Sequence, residues 1–338
     1  MTSAEVPPYT VREYEAGDEH AILETFNRVF SEMDPNFEPR TLETWRWLYL
    51  ANPSGWRIYI AITDDGRVIS QYAGVRQRMW LEGQPAYFSQ AIDSMTDPAY
   101  RRGLKRPGFF VLTGYPYAAN YGGPPPDKDV IMWGLPLPAA WRMGKNFLDY
   151  EIVRTQGKLV AELARVELPA ASGVALEEVE CFPEEVVTLS DRAREEHGAI
   201  AVRDKAQLDW RFVDNPDNDY SIVLARVDGE LAGYAVYRTG FYDREETGLC
   251  CDWLVPGDQP AVAQALRAWL LERARSEGAD KLTAVFPDTC REWLDFQRAG
   301  FRVQPTTYFP VGRNYVPKYR MPWLYRNWYY TLGDSDIC

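Results

Sequence analysis

Thr41–Val75 reads TLETWRWLYLANPSGWRIYIAITDDGRVISQYAGV, and Ala206–Tyr237 reads AQLDWRFVDNPDNDYSIVLARVDGELAGYAVY. Set one above the other, the stretches keep the same landmarks in the same order. Trp45-Arg46 meets Trp210-Arg211, and Asn52-Pro53 meets Asn215-Pro216. Asp65-Gly66 meets Asp228-Gly229, and Tyr72-Ala73 meets Tyr234-Ala235. The chain contains an internal repeat. Each copy reads as a helix that carries Trp-Arg and ends at Asn-Pro, because the residue before proline leaves the α region. A strand, an Asp-Gly turn and a second strand follow, which is a β-hairpin.

The correspondence continues outward. After the first hairpin come a strand (QPAYFSQAIDSMTD), a basic loop, a helix (GFFVLTGYPYAANYGG), a buried strand (DVIMWGLP), a helix (PAAWRMGKN) and a strand (FLDYEIVRT). After the second come ETGLCCDWLVP, AVAQALRAWLLERARSEG, KLTAVFP, TCREWLDFQRAG and FRVQPTTYFPV. Val262, Ala265, Leu266, Trp269 and Leu270 fall at helical spacing, and Gly278 ends that helix. Gly144 and Gly300 read as helix-ending glycines, each followed by a strand that a phenylalanine opens. The expectation is a mixed α/β chain: an N-terminal domain over 1–164, a linker over 165–180, a C-terminal domain over 181–316 and an aromatic tail over 317–338.

Composition bounds the function. Among 338 residues the formal charge is −12, which argues against a general nucleic-acid partner and suits a cationic substrate such as an amine. Five cysteines form no CxxC pair or metal spacing, which fits a reducing cytoplasm. The first residues carry no signal-peptide pattern, and no apolar run approaches bilayer length. The expected location is therefore cytoplasmic, with no membrane partner. Histidine catalysis and a metal site are not expected from the two histidines, His20 and His197.

The basic loop stands out in an acidic chain. In DPAYRRGLKRPGFF, Arg101, Arg102, Lys105 and Arg106 surround Gly103, and Pro107-Gly108 follows. A loop that opens onto a helix N-terminus presents unpaired N–H groups and the positive end of the helix dipole. Glycine allows close backbone approach, the cations add charge-assisted contacts, and Pro107 suits position N1. This is a place for an anion such as a diphosphate; the alternative is a solvated basic turn.

The element order, together with VISQYAGV, IDSMTDPAYRRGL, AAWRMGKNF and REWLDFQRAGF, resembles the GNAT superfamily of N-acyltransferases, as two tandem units over nearly the whole chain. The resemblance implies that the anion belongs to acetyl-CoA or another acyl-CoA. It implies a cofactor site of Ser94, Met95, Thr96, Arg101, Arg102, Gly103, Leu104, Lys105, Arg106 and Gly108. The loop departs from the family pattern, Gln/Arg-x-x-Gly-x-Gly/Ala: Tyr100 stands three residues before Gly103, and Lys105 two after it. The equivalent place in the second half, LVPGDQPAVAQ, has no cation cluster, so that half reads as a degenerate copy.

Acyl transfer to an amine needs a neutral amine, a polarised carbonyl and a proton for the departing thiolate. In the family, the fourth strand splays from the fifth, the pantetheine arm inserts there, and a backbone N–H polarises the carbonyl. Ser94 to Thr96 are the matching positions. Asp93 is the carboxylate placed to accept the ammonium proton, or else a strand-end group bonded to backbone. The family's tyrosine acid is missing from PAAWRMGKN. Tyr150 on the next strand is carried as the acid; Tyr115, Tyr117 and Tyr121 lie on the preceding helix. By analogy with tandem GNAT enzymes, the terminal carboxylate of Cys338 is a candidate for holding the amine.

The expected activity is an acyl-CoA-dependent N-acyltransferase, acetyl by default, acting on a primary amine of a small molecule or sugar. Two alternatives stand beside it: a non-catalytic CoA-binding scaffold on a duplicated fold, and an aminoacyl-tRNA-dependent transferase. The reading leaves room for a homodimer.

Overall fold

The structure is a computed structural model and describes residues 7–34, 37–101, 107–169 and 171–338. The chain begins with β1 (Tyr9–Glu13), α1 (Glu19–Ser31), α2 (Leu42–Tyr49), β2 (Trp56–Thr63), β3 (Val68–Leu81) and β4 (Gln84–Thr96). It continues with α3 (Phe109–Tyr121), β5 (Ile131–Gly134), α4 (Pro138–Phe147) and β6 (Glu151–Ile152). Next come β7 (Gly157–Glu162), β8 (Ala175–Val179), α5 (Val186–Arg194), β9 (Ala199–Ala201), α6 (Lys205–Phe212), β10 (Ser221–Val227) and β11 (Glu230–Tyr242). The last part carries β12 (Glu245–Leu254), α7 (Pro260–Ser276), β13 (Lys281–Ala284), α8 (Arg291–Arg298), β14 (Arg302–Pro305), β15 (Val311–Asn314) and α9 (Met321–Asn327).

The residues form two compact units. The first comprises Met1–Arg78, Ala86–Val153 and Pro310–Met321; the second comprises Met79–Pro85, Arg154–Phe309 and Pro322–Cys338. The first unit's sheet runs β1-β2-β3-β4-β5-β15-β6, and the second runs β14-β7-β13-β12-β11-β10-β8. In each, an antiparallel hairpin leads to one parallel pair, β4 with β5 and β12 with β13.

The repeat is visible atom by atom. Thr41 Oγ1 accepts from the Thr44 amide at 3.1 Å and Asp204 Oδ1 from the Gln207 amide at 3.0 Å, so α2 and α6 carry the same N-cap. After each helix, Asn52 and Asn215 accept from the amide two residues on, at 2.9 and 3.0 Å. Both hairpins shift register at the matched alanine, Ala61 and Ala225. Asp228 and Gly229 both have positive φ, as a two-residue Asp-Gly hairpin turn requires.

The structure differs from the sequence-based reading in several places. β7 falls in 1–164 yet pairs with β13 and β14 in the second unit's sheet. β15 falls in 181–316 yet pairs with β5 and β6 in the first. β8, within the 165–180 segment read as linker, pairs with β10. β7 and β15 each pair on both sides inside their sheets, and β8 forms an edge, so β13, β5 and β10 all find backbone partners. Gly108, not Pro107, is the N-cap of α3, so Pro107 precedes the cap. Gly144 lies inside α4, where a Cβ would come within 2.1 Å of the Tyr150 ring. The strand expected over FLDYEIVRT reduces to β6, because α4 runs through Phe147.

Candidate active site

The parallel pairing of β4 with β5 covers only Phe88, Ser89 and Gln90. Beyond it β4 runs on to Thr96 without β5, so the two strands diverge. Where they diverge, an open groove of about 290 Å³ is lined by Ser94, Met95, Thr96 and Arg101 and by Gly108. Its other walls are Phe109 and Phe110 of α3, Ala139, Ala140 and Met143 of α4, and Val29 and Phe30 of α1. Five of the residues singled out in the sequence thus meet around one groove. Arg102, Gly103, Leu104, Lys105 and Arg106 lie outside the described residues.

The polar end of the groove is cationic. Arg101 lines it, and its Nε donates to the Thr96 carbonyl at 3.0 Å. The buried Asp97 carboxylate is shared by Arg28 and Arg67, both at 2.8 Å, and caps the turn at Ala99. The first turn of α3 carries no acidic residue, and Gly108 supplies no side-chain cap. The helix thus presents its positive end to the groove.

Asp93 sits one residue before the groove, in left-handed conformation with φ of 50°, towards the C-terminal end of β4. That backbone is uncommon for a side-chain-bearing residue, though aspartate tolerates it better than most. Three neighbours hold it: Arg40 pairs with its carboxylate, the Tyr49 hydroxyl donates to it at 2.8 Å, and Gln71 Nε2 donates to its carbonyl at 3.1 Å. The Asp93 side chain is 8% exposed.

The other two expected catalytic groups do not line the groove either. Tyr150 is buried against Gly144, with its hydroxyl bonded to that of Tyr72. Burial pushes its phenol well above the ordinary range. Cys338, expected to offer a carboxylate to an amine, has its carbonyl oxygen held by Arg211 and by the Tyr220 hydroxyl at 3.1 Å within the second unit. Arg211 therefore binds tail carbonyls, whereas its counterpart Arg46 pairs with Glu19 at 3.3 Å. Trp45 and Trp210 are both buried, as packing residues.

In the second unit the same divergence is filled. β12 pairs with β13 only over Gly248–Cys250. Counting back from Pro98 and Pro256, Cys251, Asp252 and Trp253 stand where Asp93, Ser94 and Met95 stand in the first unit. There the Tyr329 hydroxyl donates to the Trp253 carbonyl at 2.8 Å and Thr331 Oγ1 to Asp252 at 2.7 Å. Asp334 pairs with buried Arg203 at 2.7 Å, and Arg203 also holds Asp252 at 3.1 Å. The aromatic tail docks as its composition implies, with Trp328, Tyr329 and Tyr330 buried. Asp258, ahead of α7, pairs with Arg192 at 3.4 Å.

Sequence reasoning missed Arg40, Tyr49, Gln71 and the α1 wall. Arg40 lies 53 residues from Asp93, and no local pattern joins them. Among the described residues no group of His, Cys, Asp and Glu is arranged to hold a metal ion, and no helix is long and apolar enough to cross a membrane.

No family model matches the sequence, and no curated protein does. Solved structures do. A "Probable N-Acyltransferase" of Enterococcus faecalis superposes with a TM-score of 0.67 at 13% identity, over 91% of this chain and 73% of that one. The tandem GNAT protein from the clavulanic acid biosynthesis pathway superposes with a TM-score of 0.54 at 16% identity, over 91% of this chain and 99% of that one. The chain has a tandem GNAT fold. Eis1 from Mycobacterium abscessus shares it, with a TM-score of 0.58 at 14% identity, over 90% of this chain and 73% of that one. The divergence of β4 from β5 is thus the cleft of the first GNAT unit, and the tail occupies its counterpart in the second.

Proposed function

We propose that the first unit is the active half of an acyl-CoA-dependent N-acyltransferase, with acetyl as the acyl group and a primary amine of a small molecule or sugar as the acceptor. The observation that carries this reading is the groove at the β4–β5 divergence. It joins the stretch of β4 beyond its pairing with β5, a helix N-terminus with no side-chain cap among the described residues, Arg101 and an apolar wall. Those features fit a thioester on a pantetheine arm: the strand edge for its amides, the apolar wall for its chain, and the cationic end for its diphosphate. Acyl-CoA, when bound, supplies the activated carbonyl and the thiolate leaving group.

The chain's own residues do the rest. Backbone amides of Ser94 to Thr96 are the donors placed to polarise a carbonyl in the groove. Met95, Phe110 and Met143 exclude water from it. Arg40, Tyr49 and Gln71 fix the left-handed turn at Asp93 and so set the direction of those amides. Asp93, ion-paired and hydrogen-bonded, acts as a positioning group, and the amine gives up its proton to solvent. Holding amine and thioester side by side removes the need for a covalent intermediate.

The engagement of Asp93 and the burial of Tyr150 favour one other reading, a CoA-binding protein without turnover. Calorimetric titration with acetyl-CoA, followed by a thiol-release assay over a panel of amines, separates the two. The transferase reading expects acetyl-CoA binding that Ala140→Trp abolishes by filling the groove, and thiol release that needs an amine. Binding without release supports the scaffold, and no binding removes both readings.

A further inference from the structure

The α1 side of the first unit's groove has no role in the acyl-transfer reading. Phe26, Val29, Phe30 and Met33 stand three or four residues apart, so they form one apolar stripe along α1 and just past its end. Val29, Phe30 and Met33 line the groove, and the Phe30 ring rests on that of Phe26 with centroids 4.3 Å apart. The helix is tied to both ends of the β4 stretch whose amides face the groove. Arg28 pairs with Asp97 at 2.8 Å. Arg40, whose guanidinium carbon lies 4.1 Å from the centre of the Phe26 ring, pairs with Asp93. The stripe runs from core to surface, from Val29 at 2% exposure to Met33 at 50%. Leu137, which also lines the groove, is 56% exposed, so the groove meets solvent at apolar side chains.

The polar side chains of the groove are already engaged. Among the described residues they are Ser94, Thr96 and Arg101. Ser94 Oγ donates to the Ile92 carbonyl at 3.4 Å, and Thr96 Oγ1 shares a hydrogen bond with Ser70 Oγ at 3.0 Å. Arg101 Nε donates to the Thr96 carbonyl at 3.0 Å, and its charge serves the diphosphate end. A sugar would bring several hydroxyls into this groove, and each one buried without a partner is penalised. An alkyl or aryl body needs no such partners and gains with every methylene that leaves water.

We propose that the acceptor is an apolar primary amine, an alkyl- or arylalkylamine rather than an amino sugar, and that Phe30 and Met33 of the α1 stripe select it; this rests on the acyl-transfer reading. The pantetheine arm enters from the cationic end at Arg101 and Gly108 and runs along α3 and α4. The α1 wall fronts the same β4 amides and is left for the second substrate. Its apolar body lies on Phe30 and Met33 and its nitrogen faces the thioester carbonyl. The neutral amine attacks that carbon, a C–N bond forms and the C–S bond breaks. The sulfur leaves as the thiolate of coenzyme A, and the nitrogen gives its extra proton to solvent.

The test measures thiol release by the full chain from acetyl-CoA with n-propylamine to n-heptylamine, phenethylamine and glucosamine. The expected result is a kcat/KM that climbs about fourfold per methylene until the groove is full, with glucosamine the poorest acceptor. Met33→Gln, at an exposed position, should raise KM for n-heptylamine about tenfold and leave kcat and the acetyl-CoA dissociation constant unchanged. A flat alkylamine series, or a preference for glucosamine, overturns the proposal while the transferase reading stands. So does octanoyl-CoA preferred to acetyl-CoA with a flat amine series, which would give the stripe to the acyl chain. Equal loss of acetyl-CoA affinity in Met33→Gln overturns it as well, because the stripe would then belong to the cofactor. The same amines are titrated calorimetrically into the chain loaded with coenzyme A. Affinity that climbs with chain length there, without thiol release from acetyl-CoA, supports the apolar site and removes the transferase reading. Failure to bind acetyl-CoA removes both.

Discussion

Replacing Asp93 with alanine separates the backbone role of this residue from its charge. The change leaves Arg40 without its carboxylate. Breaking a buried pair costs about 3–5 kcal/mol, and the lower end applies because the Arg40 side chain keeps 21% exposure. The fully buried Tyr49 hydroxyl loses its acceptor, for roughly 1 kcal/mol more. Alanine at φ of 50° adds about 1 kcal/mol. The sum is about 5 kcal/mol, discounted to ~4 because the groups share one cluster. Asp93→Asn keeps an acceptor for Tyr49 and a residue that tolerates the left-handed region, and should cost about half as much. Urea unfolding of wild type and both variants, read by circular dichroism, measures the gap. Equal losses, within about 0.5 kcal/mol, would refute the backbone argument. The same variants bear on catalysis. A positioning role lowers the rate of Asp93→Asn at every pH and leaves the shape of the profile unchanged. A flattened alkaline limb would make Asp93 the base instead.

Three further outcomes follow from the geometry. Gly144→Ala gains helix propensity, yet its Cβ would meet the Tyr150 ring at 2.1 Å; overpacking should win by about 2 kcal/mol, read as a lower thermal midpoint. Burial, helped by Arg203 and Arg291, pushes His197 down to about 4, so its neutral form stabilises the fold fully above pH 6.5. That contribution is lost as pH falls from 6.5 towards 4, and His197→Gln should flatten the stability profile in that window. Burial alone would raise the Glu19 carboxyl, but amide N–H groups, Tyr14 and Arg46 pull it down to about 2. Its stabilisation is complete above pH 4.5 and lost as pH falls through about 2; Glu19→Gln should weaken the acid sensitivity of the melting temperature there.

The repeat made the fold legible because its landmarks are local. An N-cap, an Asx turn and an Asp-Gly hairpin each need only a few adjacent residues, and Thr41, Asn52 and Asp228 behave in the structure as their spacing implies. The β4–β5 divergence was legible through the order of elements. The destinations of β7 and β15 were not, since a short strand records that it will pair but not with which neighbour. The support of Asp93 was hidden for the same reason. A left-handed residue inside a strand leaves no mark in the local sequence, and Arg40 reaches it across 53 positions. His197 looked polar by its neighbours in sequence, yet its ring stacks on Tyr329 with centroids 4.4 Å apart.

Duplication explains why the two clefts have such different contents. In the first unit the position after left-handed Asp93 is Ser94, small and neutral, and its neighbours Met95 and Thr96 line an open groove. In the second unit that position is Asp252, a buried carboxylate that needs a cation and donors. Arg203, Tyr234 and Thr331 supply them, the last from the tail itself. A carboxylate held this way disfavours a diphosphate-bearing ligand, and the tail that satisfies it occupies the space. The two changes reinforce each other. Restoring a serine at Asp252 alone would leave Arg203 and Thr331 short of a partner, and trimming the tail alone would expose an ion pair with no ligand to match it. Opening the second cleft should therefore require both changes together. If either one alone conferred a second acyl-CoA site, the assignment of the tail as the natural occupant would fail.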